Sequence, residues 1–268
     1  MRINTNLNAM IATNQMSKNT ALAGSSMEKL STGLRITKAG DDAAGLAVSE
    51  KMRAQIRGME QAERNVQDGI SMVQTAEGAL EEAGNIAQRM RELGVQAGND
   101  TLSDDDRNKV KEELTQLQDE MKKISEETKF NGKKLLNTAG TFTIQAGANS
   151  ETRKIATADL SSIANGLSTI TISSSAQAQS FVENVDKALT SINDARSALG
   201  AMQNRLEYTA NNLTTSTENL TAAESRIRDV DVAKEMVTLS KLNILNQASQ
   251  AMVSQAKQQP ESVSQLLR

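Results

Sequence analysis

The chain has 268 residues, with 30 Lys and Arg against 33 Asp and Glu, for a net charge of −3. It contains no Cys, His or Trp, and only one Pro, one Tyr and three Phe. These absences exclude a thiolate nucleophile, an imidazole base, a disulfide and the usual zinc sites, so no enzyme, metal site or cofactor is expected. The interspersed charges give no nucleic-acid footprint. A chain with so few aromatics must bury Leu, Ile, Val, Met and Ala along extended seams, as coiled coils do.

In chain order, Met1-Arg2-Ile3-Asn4 opens with polar residues interleaved among apolar ones, unlike the apolar core of a secretory signal. Nor does any apolar run approach the ~20 residues of a membrane span. Ile3, Leu7, Met10 and Ile11 form an apolar stripe at helical spacing. Asp41 or Asp42 reads as a helix N-cap; around Gly40 the spacings of a phosphate loop and of a calcium loop are both missing.

Val66, Ile70, Val73 and Leu80 open a helix that continues through Ile86, Met90, Leu93 and Ala97. Gly98-Asn99-Asp100 breaks it, and Ser103 or a neighbouring Asp can cap the next. That helix carries Val110, Leu114, Leu117, Met121 and Ile124, and ends at the Asn131-Gly132 turn. In the Ser- and Thr-rich segment that follows, 141–145 and 168–172 alternate polar and apolar residues, predicting two short strands.

The strongest period comes last. Val185, Ile192, Leu199, Leu206, Leu213, Leu220 and Ile227 fall one heptad apart, with mostly small residues three positions further on. A helix from about residue 178 to 232 would be a rod of roughly 80 Å, and it needs partners of comparable length. The fold class is therefore mainly α: an elongated coiled-coil helical bundle with a small β-hairpin excursion in the middle. The twelve Met are expected as gap-filling seam residues. Beyond the bundle, Met236, Leu239, Leu242, Leu245, Met252 and Val253 form a second terminal stripe. The terminal stripes either fold back to lengthen the bundle or meet each other and other copies of the chain, since exposed apolar stripes make poor monomer surface.

Several of these segments carry a family resemblance. Leu30-Ser-Thr-Gly-Leu-Arg-Ile-Thr-Lys-Ala-Gly-Asp-Asp-Ala-Ala-Gly-Leu-Ala-Val48 and Asn65-Val-Gln-Asp-Gly-Ile-Ser-Met-Val-Gln-Thr-Ala-Glu-Gly-Ala-Leu80 resemble the N-terminal signature of bacterial flagellins. Leu199-Gly-Ala-Met-Gln-Asn-Arg205, Ala222-Ala-Glu-Ser-Arg-Ile-Arg-Asp-Val-Asp231 and Leu266-Leu-Arg268 resemble the C-terminal one. The likeness spans about 1–136 and 180–268.

The resemblance implies a structural subunit that polymerises into the extracellular flagellar filament, exported without a cleaved signal peptide. It divides the chain into a core helix at 1–32, a connector at 33–57, bundle helices at 58–136, a short hairpin segment at 137–179, a long bundle helix at 180–231 and a core helix at 232–268. Self-assembly then falls to Ile3, Leu7, Ile11, Leu239, Leu242, Leu245, Met252, Leu266 and Leu267. Implied partners are other copies of the chain, an export chaperone on about 232–268, and the flagellar cap and hook–filament junction proteins. Gln88-Arg-Met-Arg-Glu-Leu-Gly-Val-Gln96 resembles the segment recognised by the vertebrate innate receptor for flagellin, pointing to Arg89 and Leu93 as contacts, and counting back from the Phe130-Asn-Gly turn adds Glu113 on the next helix. The alternative is that Leu93 is a seam residue and Arg89 a contact between subunits, and both readings can hold. Large outer domains of longer members have no room between 137 and 179.

Overall fold

The computed structural model describes residues 6–266, with side chains through 258. Six helices and two small antiparallel hairpins follow in the order α1 (Leu7–Thr32), α2 (Ala43–Ala97), α3 (Asp104–Glu127), β1 (Lys129–Phe130), β2 (Lys133–Lys134), β3 (Gly140–Gln145), β4 (Thr152–Thr157), α4 (Leu160–Gly166), α5 (Ser175–Arg228) and α6 (Val232–Leu266). The chain divides into two compact units, residues 55–218 and residues 1–54 with 219–268.

In the 55–218 unit, α2 and α5 lie antiparallel in a constant register. Glu63 meets Thr214, Glu81 meets Arg196, and Arg91 Nε donates to Asp186 at 2.7 Å. Each step along one helix is matched by a step back along the other, as a shared heptad period requires. The seam of α5 is buried at Val185, Ile192, Leu199, Leu206 and Leu213, and that of α2 at Val66, Ile70, Val73, Leu80, Met90, Leu93 and Ala97. The side chains of α5 press against α2 at Gly94, where a β-carbon would stand 2.8 Å from the Val182 side chain and 3.2 Å from the Phe181 ring, so Ala would force them to shift.

Ser103 caps α3, its Oγ accepting from the amide of Asp106 at 3.3 Å. Three acidic residues, Asp104, Asp105 and Asp106, occupy the first turn, where the helix dipole favours negative charge. Val110, Leu114 and Met121 are buried; Leu117 and Ile124 are only half-buried, and Ser125 takes an interior position instead. Asn131 at φ 48° and Gly132 at φ 77° turn β1 into β2, as an Asn-Gly hairpin needs.

The middle of the chain departs from the sequence expectation. The partner of β3 is Thr152–Thr157, with Phe142 opposite Ile155. Residues 168–172, predicted as a strand, have no ladder partner. Their alternation instead buries Ile170 and Ile172 from an extended segment leading into α5, because any extended backbone points successive side chains to opposite sides. The short helix α4, capped by Asp159, was not predicted either. Met59, Met72, Met90 and Met121 fill interior space, but Met10, Met27, Met236 and Met252 are exposed and correct the expectation that all serve seams.

Leu206 has no exposed surface and lies against the Gly69 turn of α2. Leu206→Asp should destabilise the unit by about 3–5 kcal/mol, since a carboxylate there has no partner. A thermal unfolding midpoint unchanged from wild type would contradict the seam assignment.

Candidate functional site

In the unit formed by 1–54 and 219–268, α1 and α6 pair antiparallel. Asn6 caps α1 through its side-chain oxygen and donates from Nδ2 to the Ala256 carbonyl at 2.6 Å; near the middle, Thr20 meets Asn246. At the far end the two connecting segments join, Val230 N donating to Gly33 O at 3.0 Å and Arg35 N to Arg228 O at 2.6 Å.

The packing of this helix pair is inverted relative to a normal core. The buried residues of α1 are Asn19 and Ser26, and the half-buried ones include Ala9, Ala12 and Ala23 together with Met16 and Leu30. Most of its large apolar residues, Leu7, Met10, Ile11, Leu22 and Met27, are exposed. On α6, Leu242 is buried and Leu239 half-buried, whereas Val232, Met236, Val237, Ile244, Leu245 and Met252 are exposed, Val237 at 70%. Between the helices runs an open groove lined by Ile11, Gln15, Leu245, Ser249 and Met252. Small residues let the two backbones approach and leave the bulky side chains outside. An apolar surface of this extent, repeated along two helices, marks an interaction site.

Of the residues expected to drive self-assembly, Leu7, Ile11, Leu245 and Met252 lie on this surface. Leu242 and Leu239 are partly or fully covered within the subunit. Ile3, Leu267 and the side chain of Leu266 lie outside the described residues. Leu22, Met27, Val237 and Ile244 join the surface without having been expected; the seven-residue interval from Val237 to Ile244 was the available signal. Leu220 and Ile227, at the end of the α5 heptads, are half-buried.

Polar contacts organise the connecting segment. Asp42 caps α2, accepting from Gly45 N at 2.8 Å, so the helix starts at Ala43, inside the span expected as connector. Asp41 accepts from the amides of Lys38 and Thr37, both at 3.1 Å, and from the Thr37 hydroxyl. Those hydrogen bonds, led by the Lys38 amide, hold its carboxyl below the usual aspartate range. Arg228 pairs with Glu50 at 2.5 Å, Asp229 accepts from the Ser225 hydroxyl, and Asp231 accepts from Lys234 N.

Elsewhere, Arg89 directs Nε and Nη2 to one Glu113 oxygen, at 3.2 and 2.9 Å, and Nη1 to Glu92. This pair is half-exposed, and Leu93 beside it is 2% exposed. Arg89 and Glu113 therefore offer surface, and Leu93 packs inside. Among the described residues there is no cluster of potential metal ligands and no helix long and apolar enough to cross a membrane.

A coiled-coil helical unit, together with a terminal helix pair whose large apolar residues are exposed, defines a self-associating structural subunit. Comparison with known proteins identifies it further. Residues 3–141 match the bacterial flagellin N-terminal helical region, and residues 182–267 match the bacterial flagellin C-terminal helical region. A flagellin of Halalkalibacterium halodurans is 54% identical over 272 residues, covering all of both chains. The flagellar filament 33 kDa core protein of Treponema phagedenis is 44% identical, again over the whole of both. The crystal structure of Bacillus cereus flagellin superposes with a TM-score of 0.52 at 35% identity, over 60% of this chain and 94% of that one. The chain belongs to the bacterial flagellin family. It is a structural subunit that polymerises into the flagellar filament for motility, in the short form without outer domains.

Because the Asp41 carboxyl is shifted downward, its contribution to the 37–41 turn is complete above the unfolded aspartate value. It is lost as pH falls through the lower folded-state value. The Thr37 and Lys38 amide resonances should titrate with a midpoint below the ordinary aspartate range, and Asp41→Asn should abolish that transition. A midpoint at or above the ordinary value would contradict the hydrogen-bonded turn.

Proposed function

We propose that the exposed apolar face of α1 and α6 is the surface through which copies of the chain stack, forming the filament core, with 58–136 and 180–231 as the shell around it. What supports the reading is the inversion in α1: the polar Asn19 and Ser26 are inside the pair, while Leu7, Ile11, Leu22 and the exposed methionines face out. Every large side chain left in water forgoes about 1.5–3 kcal/mol of burial, so stacking many copies supplies a strong drive. Residues 33–57 then connect core and shell, tied to the junction of α5 and α6 by the Gly33–Val230 and Arg35–Arg228 backbone bonds.

The same reading assigns the partners. An unassembled α6 with an exposed apolar stripe suits an export chaperone that covers about 232–268 and releases it outside the cell, the subunit travelling without a cleaved signal peptide. The flagellar cap and the hook–filament junction proteins meet the growing ends of the stack through the same terminal helices. For the innate receptor for flagellin, the open half of the Arg89–Glu113 pair is the contact, with Leu93 supporting Arg89 from within the bundle rather than touching a partner.

Removing residues 1–30 or 235–268 should leave a monomer that retains the helicity of the 55–218 unit and does not elongate seeded filaments. Electron microscopy decides the matter: a truncate that still builds filaments would refute the terminal-core reading.

A further inference from the structure

Among the described residues, eight methionines lie at the two extremes of exposure, and Met16, Met52 and Met202 are half-buried. In the 55–218 unit, Met59, Met72, Met90 and Met121 are at most 8% exposed. Among the described residues, the methionines that are more than half exposed lie on α1 and α6: Met10 at 51%, Met27 at 58%, Met236 at 54% and Met252 at 65%. They are interspersed with Ile11, Leu22, Val237 and Ile244 on the apolar face, and Met252 lines the groove between the helices. The chain has no Cys, so no thiolate competes with these thioethers for an oxidant.

We infer that Met10, Met27, Met236 and Met252 form a peroxide-sensitive patch whose oxidation to sulfoxide stops the free subunit from joining other copies. The inference rests on the assembly surface proposed above. Hydrogen peroxide is the oxidant. A lone pair of the thioether sulfur attacks one peroxide oxygen, an S–O bond forms, the O–O bond breaks, and water leaves. Sulfur loses two electrons, and the peroxide is reduced.

The product is a polar, chiral group in place of a flexible apolar one. Buried against another copy without a donor, it opposes the contact that the thioether favoured. All four are exposed on the two helices proposed to stack, so one oxidised subunit carries the defect into the contacts those helices would make. Reduction by a thiol-dependent sulfoxide reductase restores the thioether, making the brake reversible. Once subunits have stacked, the same sulfurs are covered and protected.

The full-length subunit is treated with dilute hydrogen peroxide, cleared of it with catalase, mapped by mass spectrometry, and offered to unoxidised filament seeds. Oxidation should fall on these four positions and spare Met59, Met72, Met90 and Met121, and elongation should slow at least about tenfold. Sulfoxide reductase should restore it. The variant carrying Met→Leu at all four positions should assemble equally well with or without peroxide, and the four methionines of finished filaments should oxidise more slowly than those of the free subunit. Sulfoxide-bearing subunits that elongate seeds at the untreated rate would overturn the inference, as would a four-Leu variant that peroxide inhibits as strongly as wild type. The double variant Ile11→Asp with Val237→Asp, left unoxidised, separates the two levels. If it elongates seeds normally, the assembly surface itself is wrong. If it fails while sulfoxide subunits elongate, the surface stands and the oxidation gate falls.

Discussion

The outward placement of the large apolar side chains of α1 and α6 is the constraint from which the rest of the molecule follows. A two-helix pair can bury only the narrow strip where its members touch; here the fully buried residues are Asn19, Ser26 and Leu242, flanked by half-buried Ala and by Met16, Leu30, Leu239 and Val253. Small residues bring the helix axes together, so the bulkier side chains find no room between them. Two helices are also too few to enclose a core of their own. Other copies of the chain supply the missing layers, which is why stability of this part and polymerisation are one process.

The 55–218 unit works by the opposite rule. There the heptads of α2 and α5 close on each other and on α3, and the seam residues from Val66 to Ala97 and from Val185 to Leu213 are buried within the subunit. That unit holds itself together through interior packing, with half-exposed ion pairs such as Arg91–Asp186 contributing little individually. Between these regimes, the backbone bonds of Gly33 and Arg35 to Val230 and Arg228 fix where the two terminal helices leave their neighbours. Asp41, Asp42 and Asp231 stop and restart helices at the same place.

Much of this was legible in the residues, for reasons that differ by element. The long helices announce themselves because heptads repeat over many turns, and Ser103, Asp42 and Asn131-Gly132 mark ends through chemistry that acts within a few residues. β4 escaped notice because Arg153 and Lys154 interrupt its pattern, and only pairing with β3 makes it a strand. Residues 168–172 alternate as a strand does, yet what they lack is a hydrogen-bonding neighbour, which no local pattern reveals. In the terminal helices, periodicity located stripes but not their direction. Leu242 and Ile244 look equally apolar, and only the position of α1 decides that the first is covered and the second is not. The motifs shared with flagellins carried the functional reading, since a coiled-coil period alone is common to many proteins.

Backbone hydrogen exchange, followed region by region in free subunits and in filaments, tests the central claim most directly. The 55–218 unit should be protected in both states, while α1 and α6 should exchange rapidly in the free subunit and become strongly protected in the filament. Equal protection of α1 and α6 in both states would show that the subunit satisfies them alone, and would contradict the account.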